Sequence, residues 1–174
     1  MQLHEAITLI TPVHYVPTKP VKWADLGCGS GLFTHALASL LPTDSILYAV
    51  DTNQASLASI ADHEDVRIEK IHQDFVQDEW PFNSLDGILM ANSLHFVKDK
   101  FTFLEKAKRH LTESGHFLLV EYDTDTPNPW VPYPLSYVSL IHLFVKAGYK
   151  TIEKLGEMPS LYSRANLYAT AISH

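Results

Sequence analysis

The run Asp25-Leu26-Gly27-Cys28-Gly29-Ser30-Gly31 joins an apolar stretch to a helical pattern. Glycines at such a junction permit a tight turn and let a ligand approach the backbone without Cβ interference. The helix start behind them offers unpaired N–H groups. The spacing Gly-x-Gly-x-Gly differs from the Gly-x-Gly-x-x-Gly of nicotinamide dinucleotide sites. An acid two residues ahead of the first glycine suits a ligand bearing an ammonium group rather than a pyrophosphate; the plain alternative is a turn that only packs a helix on a strand. Asp51 closes the next strand pattern, where a carboxylate can accept from both hydroxyls of a ribose or cap the helix after Thr52-Asn53. Gln73-Asp74-Phe75 follows the third pattern. Asp74 can accept from an adenine amino group while a neighbouring backbone N–H donates to a ring nitrogen, or it is an exposed turn residue. All three signals fall at the carboxyl ends of consecutive strand patterns, within reach of one nucleoside.

The elements that must hold these residues alternate. A short helical piece, Glu5 to Ile10, precedes a link punctuated by Pro12, Pro17 and Pro20, which should run extended. Strands are expected at Val21–Leu26, Ser45–Val50, Val66–Ile71, Leu85–Ala91 and His116–Tyr122, the last entered through a turn at Glu113-Ser114-Gly115. Helices are expected at Leu32–Leu41, from an Asn53 cap to about Ala61, at Phe101–Leu111, and at Leu135–Ala147 with Gly148 as its stop. Tyr149–Leu155 and Asn166–Ser173 read as two further strands with no helix between them, so they pair as a hairpin and one runs antiparallel. Alternation of this kind implies βαβ units, a parallel sheet covered on both faces, and ligand-binding loops along one edge.

Composition bounds the rest. The 174 residues, 46% hydrophobic and 19% charged, fit one domain spanning 1–174, with 1–20 as a short N-terminal extension. The formal charge of −7 and the absence of a Lys/Arg cluster argue against a nucleic-acid partner. No apolar run approaches the roughly 20 residues of a membrane span, and the start lacks the pattern of a signal peptide. One cysteine forms no internal disulfide, so a cytoplasmic setting is expected. The histidines form no His-x-x-x-His pair, and no metal site is expected.

With these residues in place the chain resembles the class I S-adenosylmethionine-dependent methyltransferases, of the type acting on diverse small molecules. Trp23-Ala24-Asp25-Leu26-Gly27-Cys28-Gly29-Ser30-Gly31 is similar to the family's glycine motif, Tyr48-Ala49-Val50-Asp51 to its ribose-binding strand end, and Gln73-Asp74-Phe75 to its adenine contact. Trp80-Pro81-Phe82 with Leu85 through Val97 resembles the stretch through the fourth strand, and Leu111 through Glu121 the turn and fifth strand. The resemblance implies a Rossmann-like, seven-stranded, mostly parallel sheet with an antiparallel last strand and helices on both faces. It implies S-adenosyl-L-methionine as cofactor, with Asp25, Gly27, Cys28 and Gly29 at its amino-acid end, Cys28 serving only as a small side chain. Asp51 and the adjoining Thr52 would meet the ribose, Asp74 and Phe75 the adenine, and Asn92 the methionine portion at the mouth.

Methyl transfer from a sulfonium needs chiefly that the acceptor be brought in line, worth on the order of 7–11 kcal/mol, whereas a fixed base adds about 10²–10⁴-fold. If a base is used, His95 is the candidate, because it follows the fourth strand and imidazole titrates near neutrality; otherwise it packs under the sheet edge or caps the next turn. Tyr15, Tyr122, Trp130 and Tyr133 are the candidates for enclosing a small-molecule acceptor, which the sequence does not identify. Without a long cap the site would be open, accept a larger partner, or be closed by a second copy in a homodimer. The competing readings are a cofactor-binding but inactive regulatory or partner subunit and a nicotinamide oxidoreductase, the latter at odds with the glycine spacing.

Overall fold

The computed structural model describes residues 1–11, 17–160 and 165–174. Its strands are β1 (Lys22–Leu26), β2 (Ile46–Asp51), β3 (Arg67–His72), β4 (Leu85–Ala91), β5 (Leu111–Tyr122), β6 (Thr151–Pro159) and β7 (Asn166–Ser173). They form one seven-stranded sheet in the order β3-β2-β1-β4-β5-β7-β6. β1 to β5 are parallel, and β7 runs antiparallel to both β5 and β6. The helices are α1 (Leu3–Ile10), α2 (Leu32–Ala38), α3 (Gln54–Ser59), α4 (Lys100–His110) and α5 (Tyr137–Lys146), with a 3-10 turn at Leu94–Phe96. Among the described residues no helix is long and apolar enough to cross a membrane.

Successive strand side chains point to opposite faces, and the two cores follow that alternation. Leu26, Ile88, Met90, Phe117 and Leu119 join Phe103, Leu104, Leu140 and Phe144 of α4 and α5 on one face. Trp23, Leu47, Leu89, Leu118 and Val120 join Ile10, Phe33 and Leu37 of α1 and α2 on the other. The N-terminal helix is thus part of the packed body, burying Ala6, Leu9 and Ile10. Its first turn is held by a capping box, with Glu5 accepting from the Gln2 N–H at 2.6 Å.

Helix ends follow their local chemistry. The expected Asn53 cap is present, its side chain accepting from Ser56 N–H at 3.0 Å. α5 begins at Ser136, which caps through its hydroxyl. It ends in a Schellman turn, with Tyr149 N–H bonded to Phe144 O and Gly148, at φ +93°, bonded to Val145 O. That turn consumes Tyr149, so β6 starts at Thr151 rather than at Tyr149. α2 stops at Ala38, short of the expected Leu41, because Leu40 and Leu41 donate three residues back, to Leu37 and Ala38, as the chain tightens before Pro42. The expected turn Glu113-Ser114-Gly115 lies inside β5. Leu85 and Gly87 of β4 oppose Leu111 and His116, so the three residues form a bulge that keeps the strand paired on either side.

Candidate cofactor cleft and adjoining cavity

The sheet order reverses direction between β1 and β4, and at such a switch point the loops after the strands part to leave a crevice. Here the crevice is a cleft of about 410 Å³, within the roughly 300–1,000 Å³ usual for small-molecule sites. Gly27 after β1, Asp51 and Thr52 after β2, Asp74 to Gln77 after β3, and Asn92, Ser93 and Phe96 after β4 line it. Six residues singled out from the sequence (Gly27, Asp51, Thr52, Asp74, Phe75 and Asn92) therefore line the same cleft.

The glycine turn is built from the backbone outward. Gly27 has φ +78°, and a Cβ there would stand 2.6 Å from Ser93 Cβ. Gly27 and Cys28 N–H both donate to Val50 O, at 2.8 and 3.1 Å, tying the turn to β2. Ser93 donates its hydroxyl to Leu26 O, tying β4 to the same turn. At Gly29 a Cβ would meet nothing within 4 Å, so a ligand can approach the backbone there.

Asp51 accepts from Gly29 N–H through one oxygen and from Asn53 N–H through the other, both at 2.8 Å. A carboxylate offers about four lone-pair directions, so two remain unused among the described residues. The cap of α3 is Asn53 rather than Asp51, which instead accepts from the Asn53 N–H just ahead of the helix. Asp74 likewise shapes its turn, with Oδ1 accepting from Val76 and Gln77 N–H. Its own N–H goes to Asp78, whereas among the described residues the Phe75 N–H has no partner. Lys106 and Trp80 secure this segment by donating to Phe75 O at 3.2 and 2.9 Å.

Asp25 lies beneath the turn, 1% exposed. One oxygen accepts from the Thr34 hydroxyl at 2.7 Å, and the other has no partner among the described residues. Burial pushes its carboxyl up to about 7; the Thr34 hydrogen bond opposes this, and the nearby Asp51 charge adds to it. Asn92 is left-handed at φ +55°, with its N–H bonded to Val120 O and its buried side-chain oxygen unpartnered.

Other expected residues lie elsewhere. The Cys28 side chain packs with Ala49, Leu57 and Ile60 rather than in the cleft. Burial, reinforced by Asp25 and Asp51, pushes its thiol well above the ordinary range, so it is no nucleophile. His95 is 3% exposed and lines neither the cleft nor the cavity beyond it. Its Nδ1 meets Glu121 Oε2 at 2.7 Å, and its backbone N–H donates to Glu121 Oε1 at 3.1 Å. His95 is thus packed under the sheet edge, as one of its two expected placements had it, in a buried clasp between the β4 loop and the end of β5. Trp130 is 79% exposed and lines neither the cleft nor the cavity beyond it, carried outward by a small Asn128 turn. Tyr133 faces a neighbouring groove beside Lys98 and Arg109, where its N–H bonds to His95 O. Tyr15 lies outside the described residues. Tyr122 does line the second cavity, which meets the cleft at Asn92. Thr34, Ser93 and Glu121 carry no motif and were not anticipated; a lone hydroxyl in the first turn after the glycines was the one hint at Thr34.

A protein-family profile described as a methyltransferase domain matches residues 24–117. No curated protein is significantly similar in sequence. Several solved structures share the fold. A Burkholderia thailandensis 1,6-didemethyltoxoflavin N1-methyltransferase with bound S-adenosylhomocysteine has a TM-score of 0.71 at 19% identity, covering 98% of this chain and 77% of that one. A SAM-dependent methyltransferase from Aquifex aeolicus has a TM-score of 0.64 at 16% identity, each chain covered in full. One from Leishmania major has a TM-score of 0.68 at 19% identity over 87% of this chain, which spans 65% of that protein.

Proposed function

The chain belongs to the methyltransferase-domain family, and on that premise we propose that it uses S-adenosylmethionine to methylate a small-molecule acceptor. The observation that carries this reading is the set of unused polar groups around one cleft. They are an orphan carboxylate oxygen on Asp25, two spare directions on Asp51, the Phe75 N–H, and the Asn92 oxygen. Their types fit, in order, an ammonium, a vicinal diol, a purine ring nitrogen and the methionine chain. A pyrophosphate would place anionic charge against Asp25 and Asp51, which disfavours a dinucleotide.

Bound S-adenosylmethionine supplies an electrophilic methyl on a cationic sulfur. The protein's part is to hold, orient and exclude water. Asp25 takes the ammonium end, directly or through a water, and Asp51 with Thr52 orients the ribose. Phe75, buried against the Gly27 turn, closes one side of the base pocket. Asn92 stands where the cleft meets the second cavity, and so divides cofactor from acceptor. His95 acts through the loop it anchors rather than at the acceptor, and alignment of the reactants carries the rate. Calorimetry with S-adenosylmethionine and NAD, followed by radiolabelled methyl transfer onto a metabolite extract, tests the proposal. S-adenosylmethionine binding with labelled small-molecule product is expected, whereas NAD binding in its place would overturn it.

A further inference from the structure

The second cavity is about 820 Å³ with its open mouth. Leu32 and Phe33 at the start of α2, Tyr122 at the end of β5, and Met158 and Leu167 of the β6–β7 hairpin make it largely apolar. The one carboxylate among its described lining residues is Glu5 of α1, half-buried. One Glu5 oxygen accepts from Gln2 N–H in the capping box, which a glutamine could do equally well. Among the described residues the carboxylate has no ion pair and its second oxygen no donor. An acid partly withdrawn from water on an apolar wall, with no ion-pair partner among the described residues, favours a ligand that brings its own N–H or positive charge.

We propose that the methyl acceptor is a small, mainly apolar molecule carrying an amine or comparable N–H donor, which Glu5 receives while the apolar body lies against Phe33 and Met158. Carboxylate acceptors are rejected by the same charge. The inference rests on the cofactor filling the adjoining cleft, so S-adenosylhomocysteine binding is measured first; its failure would strike at that reading, and the acceptor test begins once it binds. Three probes share one aromatic body and differ in charge: tryptamine, indole and indole-3-acetate. Their affinities are measured by calorimetry on the full chain saturated with S-adenosylhomocysteine. Tryptamine should bind at least fivefold tighter than indole, and indole-3-acetate weaker than both. Glu5→Gln keeps the cap and should bring tryptamine down to the level of indole. Met158→Arg, which adds a cation to the same wall, should make indole-3-acetate the tightest of the three. Equal or tighter binding of indole-3-acetate by the unaltered protein, a tryptamine preference that survives Glu5→Gln, or no binding of any probe at millimolar concentration overturns the proposal.

Discussion

At the scale of single residues the site depends on acids whose protonation and free lone pairs are set by burial. Asp25 shows the sign of the effect. Its folded carboxyl titrates near 7 against 3.8 for the unperturbed group, so between about pH 4 and 7 the folded chain holds a proton that the unfolded chain releases. Without ligand, Asp25 therefore lowers stability as pH rises through that window and leaves a constant penalty above it. An ammonium ligand needs the ionised form, so cofactor affinity should rise with pH up to about 7 and then level off, with a slope of at most tenfold per pH unit. Asp25→Asn, which still accepts from Thr34, should abolish that pH dependence, weaken cofactor binding, and raise the melting temperature of the free protein at pH 8. Calorimetry and thermal melts across pH 5.5–8.5 read both effects. A wild-type affinity flat across that range would contradict the role given to Asp25.

At the scale of elements, each loop at the cleft is tied to a neighbour through atoms that leave no periodic trace. The strand and helix patterns were legible, because alternation and helical spacing report burial directly, and the glycine turn was legible because its backbone geometry excludes other residues. The three-residue bulge in β5 was not, since Glu113-Ser114-Gly115 has turn-like composition and only the β4 partner reveals that pairing resumes beyond it. Nor was the Glu121 clasp on His95, whose two members lie 26 residues apart. Glu121→Ala would leave a buried imidazole and a backbone N–H unpaired, each costing about 1–3 kcal/mol. It should lower kcat at least tenfold by loosening the Asn92–Phe96 loop. His95→Asn should lower kcat without removing an imidazole-dependent limb from the pH–rate profile; loss of such a limb would restore His95 as the base. Packing between strands is equally specific. A Cβ on Gly87 would stand 2.3 Å from the Trp23 ring, so Gly87→Ala should destabilise the chain by about 1–3 kcal/mol through overpacking. Chemical denaturation checks this, and an unchanged midpoint would contradict the packing described.

At the scale of the whole molecule, the two faces of the sheet are packed independently and the carboxyl edge is left to carry chemistry. The seven-stranded order with β7 inserted between β5 and β6 places Tyr122 and the β6–β7 hairpin beside the cleft, so the two cavities adjoin by topology. The wall of the second cavity was poorly legible beforehand because it is assembled from α1, α2, the end of β5 and the last two strands, with no motif of its own. Of the three candidate aromatic residues that are described, Tyr122, Trp130 and Tyr133, Tyr122 alone lines it. Ligand filling the cleft should stabilise the entire fold: at one hundred times its dissociation constant, S-adenosylmethionine adds about 2.7 kcal/mol, or roughly 5–10 °C in melting temperature for a domain of this size. NAD at the same concentration should add nothing measurable. The most direct test of the account is calorimetric binding of S-adenosylmethionine to Asp51→Ala, with circular dichroism to establish that the variant is folded. Loss of two hydrogen bonds to a charged acceptor, about 1.5–3 kcal/mol each at full strength, predicts affinity reduced tenfold or more. An affinity equal to that of the unaltered chain would contradict it.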